Sequence, residues 1–109
     1  MIPINRNSFI VRPKKPFFDW LNALFEGEEP IQNKEENNVY LIREFDNNED
    51  INRWVDNNYQ TIFDNELNDW YTDESRWPKN RTLSMFKSWF DVEVNSMVLD
   101  LEDFEIEKE

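Results

Sequence analysis

A chain of 109 residues has room for one hydrophobic core and not two, because each half of a divided chain would bury too little surface to hold itself together. A net charge of −12, from 24 acidic against 12 basic residues, pulls toward disorder, but nine Phe, five Trp and three Tyr supply large rings from which a dense core can be built. The absence of Cys and His excludes disulfides, thiolate metal sites, cysteine nucleophiles and the usual general base at neutral pH.

Residues 7 to 12, NSFIVR, alternate as a short strand, with Phe9 and Val11 on one face and Ser8, Ile10 and Arg12 on the other, and Pro13 stops the ladder. A helix follows. Pro16 suits its first turn, Phe18, Leu21 and Phe25 recur at helical spacing with Phe17 and Leu24 widening the stripe, and Gly27 is the expected C-terminal stop. Residues 28 to 38 have no period and read as a solvated loop. VYLIREF at 39 to 45 is β-branched and aromatic, with Val39, Leu41 and Phe45 on one side and Tyr40 and Ile42 on the other, and is expected as a more buried strand.

Asn47 can cap a long helix whose stripe runs from Ile51 through Trp54, Val55, Tyr59, Ile62, Phe63 and Leu67 to Trp70. The stretch 71 to 82, YTDESRWPKNRT, lacks any period and reads as a loop. Asn80 is the expected cap of a third, short helix carrying Leu83, Met85, Phe86, Trp89 and Phe90. A last strand is expected over 91 to 101, where the apolar phase changes from Val92 and Val94 to Met97, Leu99 and Leu101, which suggests a bulge near Asn95 and Ser96 or burial on both faces. An acidic tail occupies 102 to 109. The order β-α-β-α-α-β predicts a single α+β domain over 1–109, with a small, mainly antiparallel three-stranded sheet covered on one face by about three helices.

Charge is unevenly spread. Residues 1 to 18 carry +4, 19 to 71 carry −11, 72 to 90 carry +2 and 91 to 109 carry −7. So acidic a chain is repelled by phosphate backbones, which points to a basic protein partner or a cationic small molecule rather than direct contact with nucleic acid. Arg6 and Arg12 interrupt the N-terminal segment, so no signal-peptide or membrane-spanning run exists, and a cytoplasmic monomer or homodimer is expected.

Motifs for chemistry are sparse. Asp46, Asn48 and Asp50 match the first ligand positions of a calcium loop, but Ile51 stands where glycine is required and Asn57 where a bidentate Glu should close the shell. Asp91 and Glu93 would project from one face of a strand, as acid pairs in hydrolases do, although a solvated edge or a salt bridge to the basic stretch at 76 to 87 is the simpler reading. Arg12, Lys14 and Lys15 could clamp an anion or merely relieve the chain's repulsion. Trp77, in a loop between Arg76 and Pro78, has no periodic reason to be buried and is either a recognition residue or a staple for the loop.

Two stretches, NRNSFIVRPKKPFFDWLN at 5 to 22 and WYTDESRWPKNRTLSMFKSWFDVEVNSMVLDL at 70 to 101, resemble a family of small acidic bacterial proteins of uncharacterised activity, with motifs NRxxFxVRPKxPFxDWxN and WYTDESxWPxxRT followed by WFDVE. The resemblance implies a bacterial cytosolic protein and brings no activity, cofactor or site. Its polar and aromatic residues mark Asp19, Trp20, Tyr71, Asp73, Glu74, Trp77, Arg81, Asp91 and Glu93 as a candidate interaction surface. The expected function is therefore a protein-interaction or regulatory module without enzyme activity or cofactor. The alternatives are a small carboxylate-based enzyme and an acidic mimic of nucleic acid that occupies a basic protein.

Overall fold

A computed structural model describes residues 2–107 and shows an α+β fold with the expected three-stranded sheet, to which the chain adds a second, two-stranded one. In chain order the elements are β1 (Ile2–Pro3), β2 (Arg6–Pro13), α1 (Lys15–Leu24), β3 (Asn38–Arg43), α2 (Asn48–Asn57), α3 (Tyr59–Asn68), a 3₁₀ turn at Glu74–Arg76, α4 (Leu83–Trp89), β4 (Phe90–Asn95) and β5 (Leu99–Asp100). The main sheet runs β3-β2-β4, antiparallel throughout, with Phe9 opposite Tyr40 on one side and Val94 on the other. β1 pairs only with β5, and this two-stranded ribbon continues the β2–β4 pair past Ser96 with its register shifted by one residue, joined by the Ile4 amide donating to the Val98 carbonyl at 2.9 Å.

The alternation of β2 divides the sheet as its sequence predicts. Asn7, Phe9 and Val11 are buried beneath the helices, while Arg6, Ile10 and Arg12 lie on the outer face; Ser8, expected with them, is buried, since as the middle strand β2 is flanked there by β3 and β4. The core is chiefly aromatic. Phe17 of α1 packs edge-on against Phe18, Trp70 and Trp89, while Phe63 of α3 touches Phe86, Trp89 and Phe90. Edge-to-face contacts of this kind bring the positive rim of one ring to the negative face of another and add about 0.5–1.5 kcal/mol each beyond the area buried.

Several boundaries differ from those the sequence suggests. The long helix is two helices, because Asn58 leaves the helical conformation (φ −121°, ψ 19°) and its side-chain amide donates to the Trp54 carbonyl, competing with the backbone for that acceptor. The cap of α4 is Thr82, whose hydroxyl accepts the Met85 amide at 3.1 Å, whereas Asn80 adopts a left-handed φ of 55°. Gly27 has the positive φ of 88° expected of it, but two residues beyond the C-cap, Phe25. β3 is an edge strand: Ile42 is buried, yet Val39 and Leu41 face outward and are exposed. The expected strand over 91 to 101 is divided into β4 and β5 by an irregularity at 96–98, beside the expected bulge, across which the pairing register shifts by one residue.

That break is held by Asn7, which is fully buried. Its amide donates to the Ser96 carbonyl at 2.8 Å and its carbonyl oxygen accepts the Phe45 amide at 2.6 Å, so one side chain secures the segments that leave β4 and β3. Replacement of Asn7 by Ala removes both part-buried hydrogen bonds at once, leaving the Phe45 amide and the Ser96 carbonyl without this partner, and the fold is expected to lose about 1–3 kcal/mol. Urea unfolding followed by tryptophan fluorescence reads this as a lower midpoint at unchanged slope.

Candidate functional site

The residues marked in the sequence divide into two groups. In the first, the 71 to 82 segment is pinned to the helices. Asp73 caps the 3₁₀ turn by accepting the Ser75 amide and hydroxyl, which holds its carboxyl below the usual range. Trp20 donates to the Arg76 carbonyl at 3.0 Å, and Tyr71 meets Phe25 edge-on. Glu74 is exposed.

Trp77 is packed down as the staple of its loop. It is 7% exposed, its indole donates to the Tyr71 carbonyl at 2.7 Å, and the guanidinium of Arg81 lies 5.5 Å over its ring. Arg81 also donates to Asp64 at 2.6 Å and to the Pro78 carbonyl at 3.0 Å, and covers Phe63. Trp77→Ala is therefore expected to cost about 3–5 kcal/mol of stability. Chemical denaturation monitored by circular dichroism checks it, and an unchanged midpoint would show the loop to be independent of the core.

The second group lies on sheet and helix surfaces and is already engaged. Glu93 accepts from Arg12 at 3.2 Å and Asp91 lies 3.6 Å from Lys14, so their partners come from β2 and the start of α1 and not from the basic stretch at 76 to 87, because β2 is the strand that pairs with β4; Asp19 pairs with Lys15 one turn away on α1. All three acids are exposed, and their partners are the cations read as an anion clamp. Asp19 lies on a cleft of about 520 Å³ between α1 and residues 30–32, shared with Lys15, Phe18, Asn22 and Ile31. Among the described residues no cluster of three or more acids could hold a metal, and at the calcium-like stretch Asn47 caps α2 by accepting the Asp50 amide.

The most perturbed groups were not among those marked. Glu66 on α3 is 1% exposed. Its Oε2 accepts from the Tyr40 hydroxyl at 2.5 Å and from Asn38 at 2.6 Å, while its Oε1 lies 4.0 Å from the Lys34 ammonium. Asn65 donates in turn to the Tyr40 oxygen, and Asp69 accepts from Asn38. Among the described residues neither Lys34 Nζ nor Glu66 Oε1 has a hydrogen-bond partner.

Burial pushes the Glu66 carboxyl above its ordinary range, against the opposing pull of Tyr40, Asn38 and Lys34, and burial together with the Glu66 contact pushes the Tyr40 hydroxyl up. The sequence held a signal for this. Position 66 lies four residues after Ile62 and four before Trp70, within the apolar stripe of its helix. A buried carboxylate beside a lysine and a phenol has the residue types of acid–base chemistry, but the clefts at α1 and at α2 are lined by other residues. The cluster joins the 28 to 37 loop, β3 and α3.

Because Glu66 holds its proton more tightly when folded, its contribution to stability is fully present below the unfolded value of about 4.3 and is lost as pH rises through the folded value. In Glu66→Gln this loss is absent. Subtracting the two stability–pH curves, measured by denaturant unfolding, is expected to leave a wild-type advantage that shrinks from acid toward neutral pH; a difference independent of pH would contradict it. Comparison with known protein families, curated proteins and solved structures finds no match to this chain.

Proposed function

We propose that this chain is a protein-interaction module that meets its partner through the projecting β1–β5 ribbon and the acidic segment continuing from it. The observation that carries the reading is the exposure of Ile2, Met97, Leu99, Leu101, Phe104 and Ile106, each between 46% and 74%, on a single projecting feature. Apolar side chains gathered in this way favour removal from water by a partner. The radius of gyration, 15.9 Å, exceeds the about 13 Å of a compact chain of this length, consistent with a ribbon that stands off the body.

Acids alternate with the apolar residues. Asp100, Glu102, Asp103, Glu105 and Glu107 are met by no base between 100 and 107, so the surface received is apolar with a cationic rim. The enzyme reading finds less support, since Asp91 and Glu93 are exposed and neutralised by Lys14 and Arg12. Mimicry of nucleic acid finds less as well. On α2 and α3, Asp50, Asp56 and Asp64 are paired within the chain and Glu66 is buried, which leaves no continuous row of free carboxylates.

A photo-crosslinking amino acid in place of Phe104 is expected to give a covalent protein adduct in cells, while the same probe in place of Gln60, exposed on α3, gives none. Equal labelling from both positions, or none from position 104, would defeat the reading.

A further inference from the structure

We propose that the partner is a second copy of this chain, whose β2–β3 surface around Arg6, Arg43, Phe45 and Trp54 receives the 101–107 segment of the first. This rests on the reading of the ribbon as an interaction arm and adds the identity of what it binds.

Arg6 and Arg43 stand directly opposite each other in the antiparallel register of β2 and β3. Two like charges at a cross-strand position repel and destabilise the pair. Acids outnumber bases two to one in this chain, and Arg12, Lys14, Lys15, Arg53, Arg81 and Lys87 each have a carboxylate within 4 Å. Among the described residues no ion pair reaches Arg6, Arg43, Arg76 or Lys79, all exposed, and of these Arg6 and Arg43 are the two placed opposite each other by strand register.

Apolar surface adjoins these charges. The Arg43 guanidinium lies 5.7 Å from the Phe45 ring, and both residues line a shallow depression of about 310 Å³ with Trp54 and Arg53. Asp50, the acid on that rim, is occupied by Arg53 at 2.9 Å. Leu41, next to Arg43 on the outer face, is 46% exposed. Phe45 beside the Arg43 guanidinium, with Arg6 opposite and its guanidinium donating, among the described residues, only to Asn5, suits a segment in which a phenylalanine is flanked by carboxylates, and Asp103-Phe104-Glu105 is such a segment.

The ribbon's direction favours a second copy over the chain's own body. Ile2 pairs with Asp100 and Pro3 with Leu99, so residue 101 continues past Ile2, away from β2 and from Arg6. Reciprocal docking lets each copy give its arm and receive the other's, as a two-fold dimer requires.

The test is sedimentation velocity on the full chain over about a hundredfold range of concentration. A reversible dimer is expected that weakens as salt rises, since carboxylate–arginine contacts are screened. Phe104→Ala and Arg43→Glu should each weaken it at least about tenfold, about 1.4 kcal/mol, and adding Glu105→Arg to Arg43→Glu should recover part of the loss. All three positions are exposed, and circular dichroism verifies that the variants fold. A monomer at every concentration, or a dimer indifferent to both variants, overturns the proposal. A monomer whose residue-104 probe still labels a different protein overturns only the second copy; a dimer indifferent to Phe104→Ala, with no adduct from position 104, removes the interaction-arm reading too.

Discussion

The contact between Phe17 and Phe63 through their shared neighbours Trp89 and Phe90 is the constraint on which the rest of the fold depends. Those rings belong to α1, α3, α4 and β4, and each lies within 6.2 Å, centroid to centroid, of both Phe17 and Phe63. A chain so charged has few apolar residues to use, and large rings remove the most surface per residue. Concentrating them under one face of a three-stranded sheet leaves the other face to arginines, carboxylates and isolated aliphatics. The acidic composition is thus met by segregating charge away from a compact aromatic interior.

Two polar residues inside that interior fix its geometry. Asn7 ties the ends of two strands to a third, and a one-residue slip of β2 would carry it to the outer face, leaving the Ser96 carbonyl and the Phe45 amide without their partner. Glu66 does similar work between α3 and β3 through Tyr40 and Asn38. A buried carboxylate near a lysine contributes little net stability once both are taken out of water, but it penalises arrangements that leave either one alone. Hydrophobic packing sets how strongly this chain collapses, while Asn7 and Glu66 narrow the ways in which it can do so.

Much of the fold was legible because period and burial agree. The two faces of β2, the stripe of α1 and the antiparallel three-stranded sheet follow from alternation and helical spacing. The interruption at Asn58 was hidden because the apolar stripe continues in phase across it, and periodicity carries no information about a side chain that takes a backbone carbonyl. The candidate surface was less legible. Trp77 lacks a periodic partner because its burial is arranged by Arg81 and the Tyr71 carbonyl, contacts that only the folded loop creates. Glu66 was visible in principle, as a charge within an apolar stripe, but its partners Lys34 and Tyr40 lie far from it in sequence. The opposition of Arg6 and Arg43 has no signature in the sequence because it depends on strand register.

The order of strands in the main sheet bears on how the molecule is assembled in time. Its central strand comes near the start of the sequence and one of its neighbours near the end, so the Asn7–Ser96 contact spans 89 residues. Such separation raises contact order, and the entropy of closing so long a loop must be met before the contact gives anything back. During synthesis the aromatic inner face of β2 can meet β3 and the early helices, yet it stays uncovered on its other flank until α4 and β4 emerge. Over that interval Phe9 and Val11 form a sticky edge, and the cations of the first 18 residues, the most basic block of the chain, help keep neighbouring nascent copies apart.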